Sequence, residues 1–244
     1  MKQIIFILPI LLFLNTNADE SLFLQGNEEY KNGNYTVAIS LYDSIISSGL
    51  ESSQLSYNLG NCYYKKQDWA NAIWYYEKSL KQNAANKNAS YNLEITNLKI
   101  IDKIEAIPQL FYKIWWKNLI RLFTTKTWQI LTILCIWIIL IIQLLNLFKK
   151  FKITHLIATL NSLTLILLFI TYSSYERNYN KMEAIIFSSS VVVNSAPTEN
   201  STSLFALHSG TKVELIDQIG NWVNIKIANG NNGWIKESDC KTLD

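Results

Sequence analysis

A multi-domain membrane protein is the fold class that the sequence predicts: an all-α repeat solenoid, then a two-helix transmembrane hairpin, then an all-β small barrel. Three observations predict it. Residues 19–105 repeat at an interval of 34, two runs of 22 and 23 residues lack Asp, Glu, Lys and Arg, and from about residue 184 short apolar runs alternate with Gly- and Asn-rich turns.

The first 18 residues carry one basic residue, Lys2, an apolar run from Ile4 to Leu14 and a small-residue end, Thr16-Asn17-Ala18. That order is expected of a signal peptide, because eleven apolar residues are too few to cross a bilayer as a helix. Export of the chain from residue 19 onward is the expectation.

The repeat starts next. Gly26, Asn27, Tyr30, Lys31, Tyr35, Ala38, Ile39 and Tyr42 return 34 residues later as Gly60, Asn61, Tyr64, Lys65, Trp69, Ala72, Ile73 and Tyr76, and Tyr-Asn-Leu occurs at 57–59 and again at 91–93. These spacings predict paired helices in units 19–52 and 53–86, with a capping helix over 87–105. Gly26 and Gly60, facing Ala38 and Ala72, would let the helices approach, Tyr42 and Tyr76 would fill the space beside them, and Asn34 and Asp68 are placed to cap the second helices. On these residues the segment resembles the tetratricopeptide repeat family. The resemblance implies a concave face lined by first helices, here Phe23, Asn27, Tyr30 and Lys31, then Tyr57, Asn61, Tyr64 and Lys65, then Tyr91. An amide, a phenol and an ammonium repeated along one groove suit a bound peptide segment of a partner, and they equally suit a solvated polar face with structural tyrosines.

Two uncharged stretches, 127–148 and 153–175, each match the roughly 20 residues that a helix needs to cross the hydrocarbon core. The Lys-Lys-Phe-Lys sequence at 149–152 is expected as a tight cytoplasmic loop. Before the first span, residues 108–126 place Lys113, Lys117 and Arg121 four residues apart, with Phe111, Trp115, Leu119 and Leu122 on another side. That pattern predicts an amphipathic segment in the membrane interface, with bases near lipid phosphates and Trp115, Trp116 and Trp128 at headgroup level. Positive charge does not orient the hairpin, since four bases precede the first span and three lie in the loop. The signal peptide does, placing both soluble parts outside.

Residues 183–244 contain six short apolar runs. The sequences Ser195-Ala196-Pro197, Gly220-Asn221-Trp222-Val223-Asn224-Ile225 and Gly233-Trp234-Ile235 resemble the bacterial SH3-like family, which implies a small barrel. Trp222 and Trp234 are candidates for a ligand groove, with core packing as the other reading. Peptidoglycan binding is a known use of related domains.

Several chemistries are not expected. Residues 19–107 hold 11 acids and 8 bases and residues 183–244 hold 7 acids and 4 bases, so neither soluble part has the basic surplus that nucleic acid requires. Cys62, Cys135 and Cys240 fall in three segments without ligand spacing, and His155 and His208 have no Cys, Asp or Glu at ligand spacing, so no metal site is expected. No phosphate loop or nucleophile elbow is present in the sequence, so no cofactor and no enzymatic activity are expected. The order of segments resembles the BatE-like family of Bacteroides aerotolerance (Bat) operon proteins. That resemblance implies an inner-membrane scaffold with soluble domains in the periplasm, beside von Willebrand A-type membrane proteins and a MoxR-type ATPase.

Overall fold

A computed structural model describes residues 19–105, 107–108, 110–149, 154–179 and 182–243. The signal-peptide expectation over 1–18 and most of the 149–152 loop fall outside these residues. The chain divides into two compact units, one joining the repeats to the C-terminal sheet and one formed by the segment between them.

In the first unit, α1 (residues 19–31), α2 (Tyr35–Ser47), α3 (Ser53–Lys65), α4 (Trp69–Gln82) and α5 (Lys87–Asn97) form two helical pairs and a fifth helix. Capping follows the sequence unevenly. The Asp68 carboxylate accepts from the Asn71 N–H at 3.2 Å, whereas Asn34 makes no side-chain cap and instead donates to Glu29 at 2.7 Å. Ser52 and Asn86 each accept from the third amide onward, at 3.1 Å, and start α3 and α5. Helix α5 stops at Asn97, and residues 98–105 continue without regular structure as a strap toward the sheet.

Tight packing explains the two glycines. A Cβ at Gly26 would lie 2.5 Å from the Tyr42 ring, and one at Gly60 would lie 2.6 Å from the Tyr76 ring. Each glycine therefore makes room for an aromatic, with Ala38 and Ala72 fully buried nearby in the helical pair.

The C-terminal segment forms seven antiparallel strands: β1 (Glu183–Ile186), β2 (Ser190–Asn194), β3 (Ser203–His208), β4 (Lys212–Ile219), β5 (Trp222–Lys226), β6 (Asn232–Lys236) and β7 (Cys240–Thr242). Their order is β3-β2-β6-β5-β4-β1-β7, so β3 and β7 are edges and the sheet is open among the described residues. In place of the expected closed barrel stands an open seven-stranded sheet, and a seventh strand follows the six that the sequence marks. Val191, Val193, Leu207, Val213, Val223, Ile225 and Ile235 fill its core.

Strand β1 is buried on both faces. Ala184 and Ile186 point into the sheet core, while Ile185 between them packs into the core of the repeats with Leu243. Strand β1 thus lends side chains to two adjoining cores, that of the repeats and that of the sheet.

The second unit contains α6 (Phe111–Ile120), α7 (Thr125–Lys149) and α8 (Thr154–Tyr179). Two stretches, Thr125–Leu144 and Leu156–Glu176, are long and apolar enough to cross a membrane, and little of either is buried within the protein. The antiparallel pair α7 and α8 is joined by hydroxyl contacts, Thr125 to Ser174 and Thr132 to Thr171, each at 2.9 Å. Helix α6 packs one face through Trp116 and Ile120, with the Trp116 ring tilted against Phe169 at 5.3 Å between centroids and the Ile120 carbonyl accepting from Trp128 Nε1. Phe111, Trp115, Lys113 and Lys117 are exposed.

Candidate functional site

The first-helix face of the repeats is built around a polar network that itself repeats. Asn27 Oδ1 accepts from the Tyr42 hydroxyl at 2.8 Å and from Asn58 Nδ2 at 2.8 Å. One unit later, Asn61 Oδ1 accepts from the Tyr76 hydroxyl at 2.8 Å and from Asn92 Nδ2 at 2.8 Å. An amide in each first helix therefore ties its own second helix to the first helix of the next unit. Here lies the reason that Tyr-Asn-Leu returns: Asn58 and Asn92 donate across the unit boundary, and Leu59 is fully buried while Leu93 packs against the core.

The nine residues read from the sequence as groove-lining separate into two kinds. Phe23 and Tyr57 are half-buried, with ring centroids 5.9 Å from Tyr42 and 6.1 Å from Tyr76, and so support the buried tyrosines. Tyr30 leans on Tyr35 at 5.4 Å and Tyr64 meets Trp69 edge-on at 5.4 Å, both half-buried. Asn27 and Asn61 give their carbonyl oxygens to the network. Lys31, Lys65 and Tyr91 are exposed, Tyr91 to 64%. Of the nine, these three present the most open chemistry: two ammonium groups and a phenol on successive first helices.

Burial protects the interior phenols and the thiol between them. It pushes the Tyr42 hydroxyl up to about 12, with the Cys62 thiol adding to the rise, and pushes Cys62 up to about 12, with the Asp43 charge adding. Cys62 is inert packing at neutral pH, and all three cysteines are free.

The sheet docks on the opposite kind of helix. Second helix α4 contributes Trp74, whose Nε1 donates to the Thr242 carbonyl at 2.7 Å, and Lys81, which donates to the Leu243 carbonyl at 2.5 Å. Lys241 lies 3.7 Å from the Trp74 ring centroid, within cation–π range. Lys212 bridges Glu77 of α4 at 2.9 Å and Glu183 of β1 at 2.7 Å. Desolvation opposes the Lys212 charge, and the two carboxylates more than offset it, so its pKa is raised. None of these residues stands out in the sequence, because helix and sheet are separated by a hundred residues or more.

The strap after α5 adds a second clasp. Asp102 accepts from the His208 backbone N–H at 2.6 Å, faces His208 Nδ1 at 2.7 Å and accepts from the Thr211 hydroxyl at 2.6 Å. Burial works against its charge, and the Thr211 and His208 hydrogen bonds together with the His208 charge outweigh that, leaving the carboxyl below its usual range. The intervening turn closes at Gly210, whose φ of +92° suits glycine. His208 thus has an acidic neighbour that local spacing could not reveal.

Trp222 and Trp234 are half-buried and lie on the face of the sheet opposite Val223, Ile225 and Ile235. Asn224 stands on that face too, directly across from Trp234, and its Oδ1 is buried without a hydrogen-bond partner. Lys236 sits 6.0 Å from the Trp222 ring and pairs with Glu199 at 2.7 Å. Among the described residues no group of three His, Cys, Asp or Glu side chains is positioned to hold a metal ion.

Residues 23–88 match the family model described as Tetratricopeptide repeat. Repeats of this kind generally mediate protein–protein interactions. No curated protein matches the chain.

Proposed function

We propose that this protein is a non-enzymatic scaffold of the inner membrane that holds a partner protein against the first-helix face of its repeats. The observation that carries this reading is the division of labour between helices. Second helix α4 is occupied by the sheet, whereas Lys31, Lys65 and Tyr91 on α1, α3 and α5 stay exposed. The matched repeat family supports protein binding, and the charge pair Lys31 and Lys65 suits a segment carrying carboxylates. The two apolar helices serve as the membrane anchor, both soluble parts lie in the periplasm, and residues 1–18 act as the export signal. The BatE-like resemblance makes von Willebrand A-type membrane proteins and a MoxR-type ATPase system of the Bat type the partners to try first.

The test uses Lys31→Glu, Lys65→Glu and Tyr91→Ala together in the full chain. These exposed changes spare the Asn27 and Asn61 networks, so the expected result is loss of co-purification with the partner at unchanged membrane insertion. Unchanged co-purification would remove the repeat face as the binding surface. Tags after residues 18 and 244 in spheroplasts check the orientation, with cleavage of both by external protease expected.

A second reading is favoured by the orphaned Asn224 oxygen beside two half-buried tryptophans. In it, the outer face of an SH3-like C-terminal domain binds peptidoglycan, with the ligand's N–H or O–H satisfying Asn224 and its apolar surface on the indoles. Co-sedimentation of the detergent-solubilised full chain with purified wall, lost in Trp222→Ala/Trp234→Ala, supports this reading. No co-sedimentation of the wild type ends it.

A further inference from the structure

In the hairpin, α8 meets α7 through Thr171 and Ser174, and the buried or half-buried Leu160, Thr164 and Leu167 continue that line as a seam of residues three and four apart. About a quarter turn around α8 lies a second line at the same spacing: Asn161, Leu165, Leu168 and Tyr172, all exposed. On α7 the buried line is Thr125, Trp128, Thr132 and Ile139, and about a quarter turn from it in the same rotational sense lie Gln129, Ile133, Ile136, Leu140 and Gln143, likewise exposed. In an antiparallel pair, the same sense on both helices puts the two lines on one side of the hairpin. Helical register fixes this, because the sense of rotation reverses with the direction of the chain.

That side is unusual in its polar content. The amides of Gln129, Gln143 and Asn161 have no hydrogen-bond partner among the described residues, and each lies in a stretch apolar enough to span a membrane. Water satisfies such groups on a soluble surface, but hydrocarbon cannot, so an amide facing lipid is driven toward a helix that carries donors and acceptors at the same depth. By the Thr125–Ser174 and Thr132–Thr171 levels, Asn161 lies about one helical turn from Gln143, so both amides belong to one depth zone.

We propose that this side of the hairpin is a transmembrane interface with a second copy of the chain, closed by reciprocal amide hydrogen bonds at Asn161 and Gln143. It rests on the membrane-anchor reading of the two apolar helices. A carboxamide is self-complementary, with an oxygen that accepts and an NH2 that donates. A twofold axis along the membrane normal brings each residue to the depth of its own counterpart, which only an identical copy guarantees without further design. Asn161 sits within a line of aliphatic residues in the way that a lone polar residue fixes register in a coiled coil. The arrangement places two repeat faces in each assembly, so that a partner with two binding segments gains from both.

The test reconstitutes the full chain, labelled separately with donor and acceptor fluorophores, into vesicles at increasing lipid-to-protein ratio, after flotation of the vesicles. Energy transfer in the wild type is expected to persist on dilution above the level of randomly distributed labels. Asn161→Leu/Gln143→Leu is expected to weaken association roughly three- to twenty-fold, while Asn161→Gln retains it. Wild-type transfer at the random level, or equal association in the double leucine variant, overturns the proposal. A chain that fails to float with the vesicles overturns the anchor reading and this inference together, whereas one that floats as a monomer overturns the inference alone.

Discussion

Gly60 shows how closely one position is fixed by its neighbour. A methyl there would lie 2.6 Å from the ring of Tyr76, which is 1% exposed and tied to Asn61 through its hydroxyl, so the ring has nowhere to move. Alanine gains about 1 kcal/mol in helix propensity, and overpacking costs about 1–3 kcal/mol. Gly60→Ala is expected to destabilise the repeats by about 1 kcal/mol net, read by urea unfolding of the solubilised chain. Asn61→Ala leaves the Tyr76 hydroxyl and the Asn92 amide without their acceptor and is expected to cost about 1–3 kcal/mol in the same measurement. Lys65→Ala, at an exposed site, is expected to stay within about 0.5 kcal/mol. The buried phenol and thiol add a pH signature. Because Tyr42 and Cys62 are raised to about 12 in the folded chain, their contribution is complete below the unfolded values and is lost as pH rises from about 9 toward 12. Helical circular dichroism, followed over that range, should fall as the buried groups ionise.

Among the elements, α4 and the strap over 98–105 do more than the repeat pattern reveals. The interval of 34 made the helical pairs legible, since each unit solves the same packing problem with the same residues at Gly26 and Gly60 or Tyr42 and Tyr76. It also marked Asn27 and Asn61, whose carbonyl oxygens join units through Tyr42, Asn58, Tyr76 and Asn92. Alternation along β2, β5 and β6 likewise made the sheet legible. Nothing local could show Asp102 meeting His208 across 106 positions, or Trp74 meeting Thr242 across 168, because such pairs have no period and arise only when the sheet packs on the helix. The short β7 was equally hidden, being three residues held in place by β1 and α4. Asp102→Ala is expected to cost about 2 kcal/mol and to speed hydrogen exchange at the His208 amide, which loses its acceptor. Asp102 is lowered in the folded chain, so its contribution is complete above the usual carboxylate range near pH 4 and is lost as pH falls through the lower folded value. The wild-type clasp should therefore loosen only below about pH 4 by the same exchange measurement.

At the scale of the whole molecule, the repeats and the C-terminal sheet are one compact unit although 77 residues separate them in the chain, 106–182. That unit covers α4 with the sheet and leaves Lys31, Lys65 and Tyr91 on α1, α3 and α5 exposed, and the intervening segment supplies two helices able to span a membrane. The proposed scaffold holds its partner on the first-helix face. The measurement that tests it most directly replaces Lys31, Lys65, Tyr91 and, as a control on α2, the exposed Val37 one at a time with a photoreactive residue in intact cells. Cross-links to one partner protein from positions 31, 65 and 91, and none from 37, are expected. Cross-links from 37 alone, or equally from all four, would contradict it.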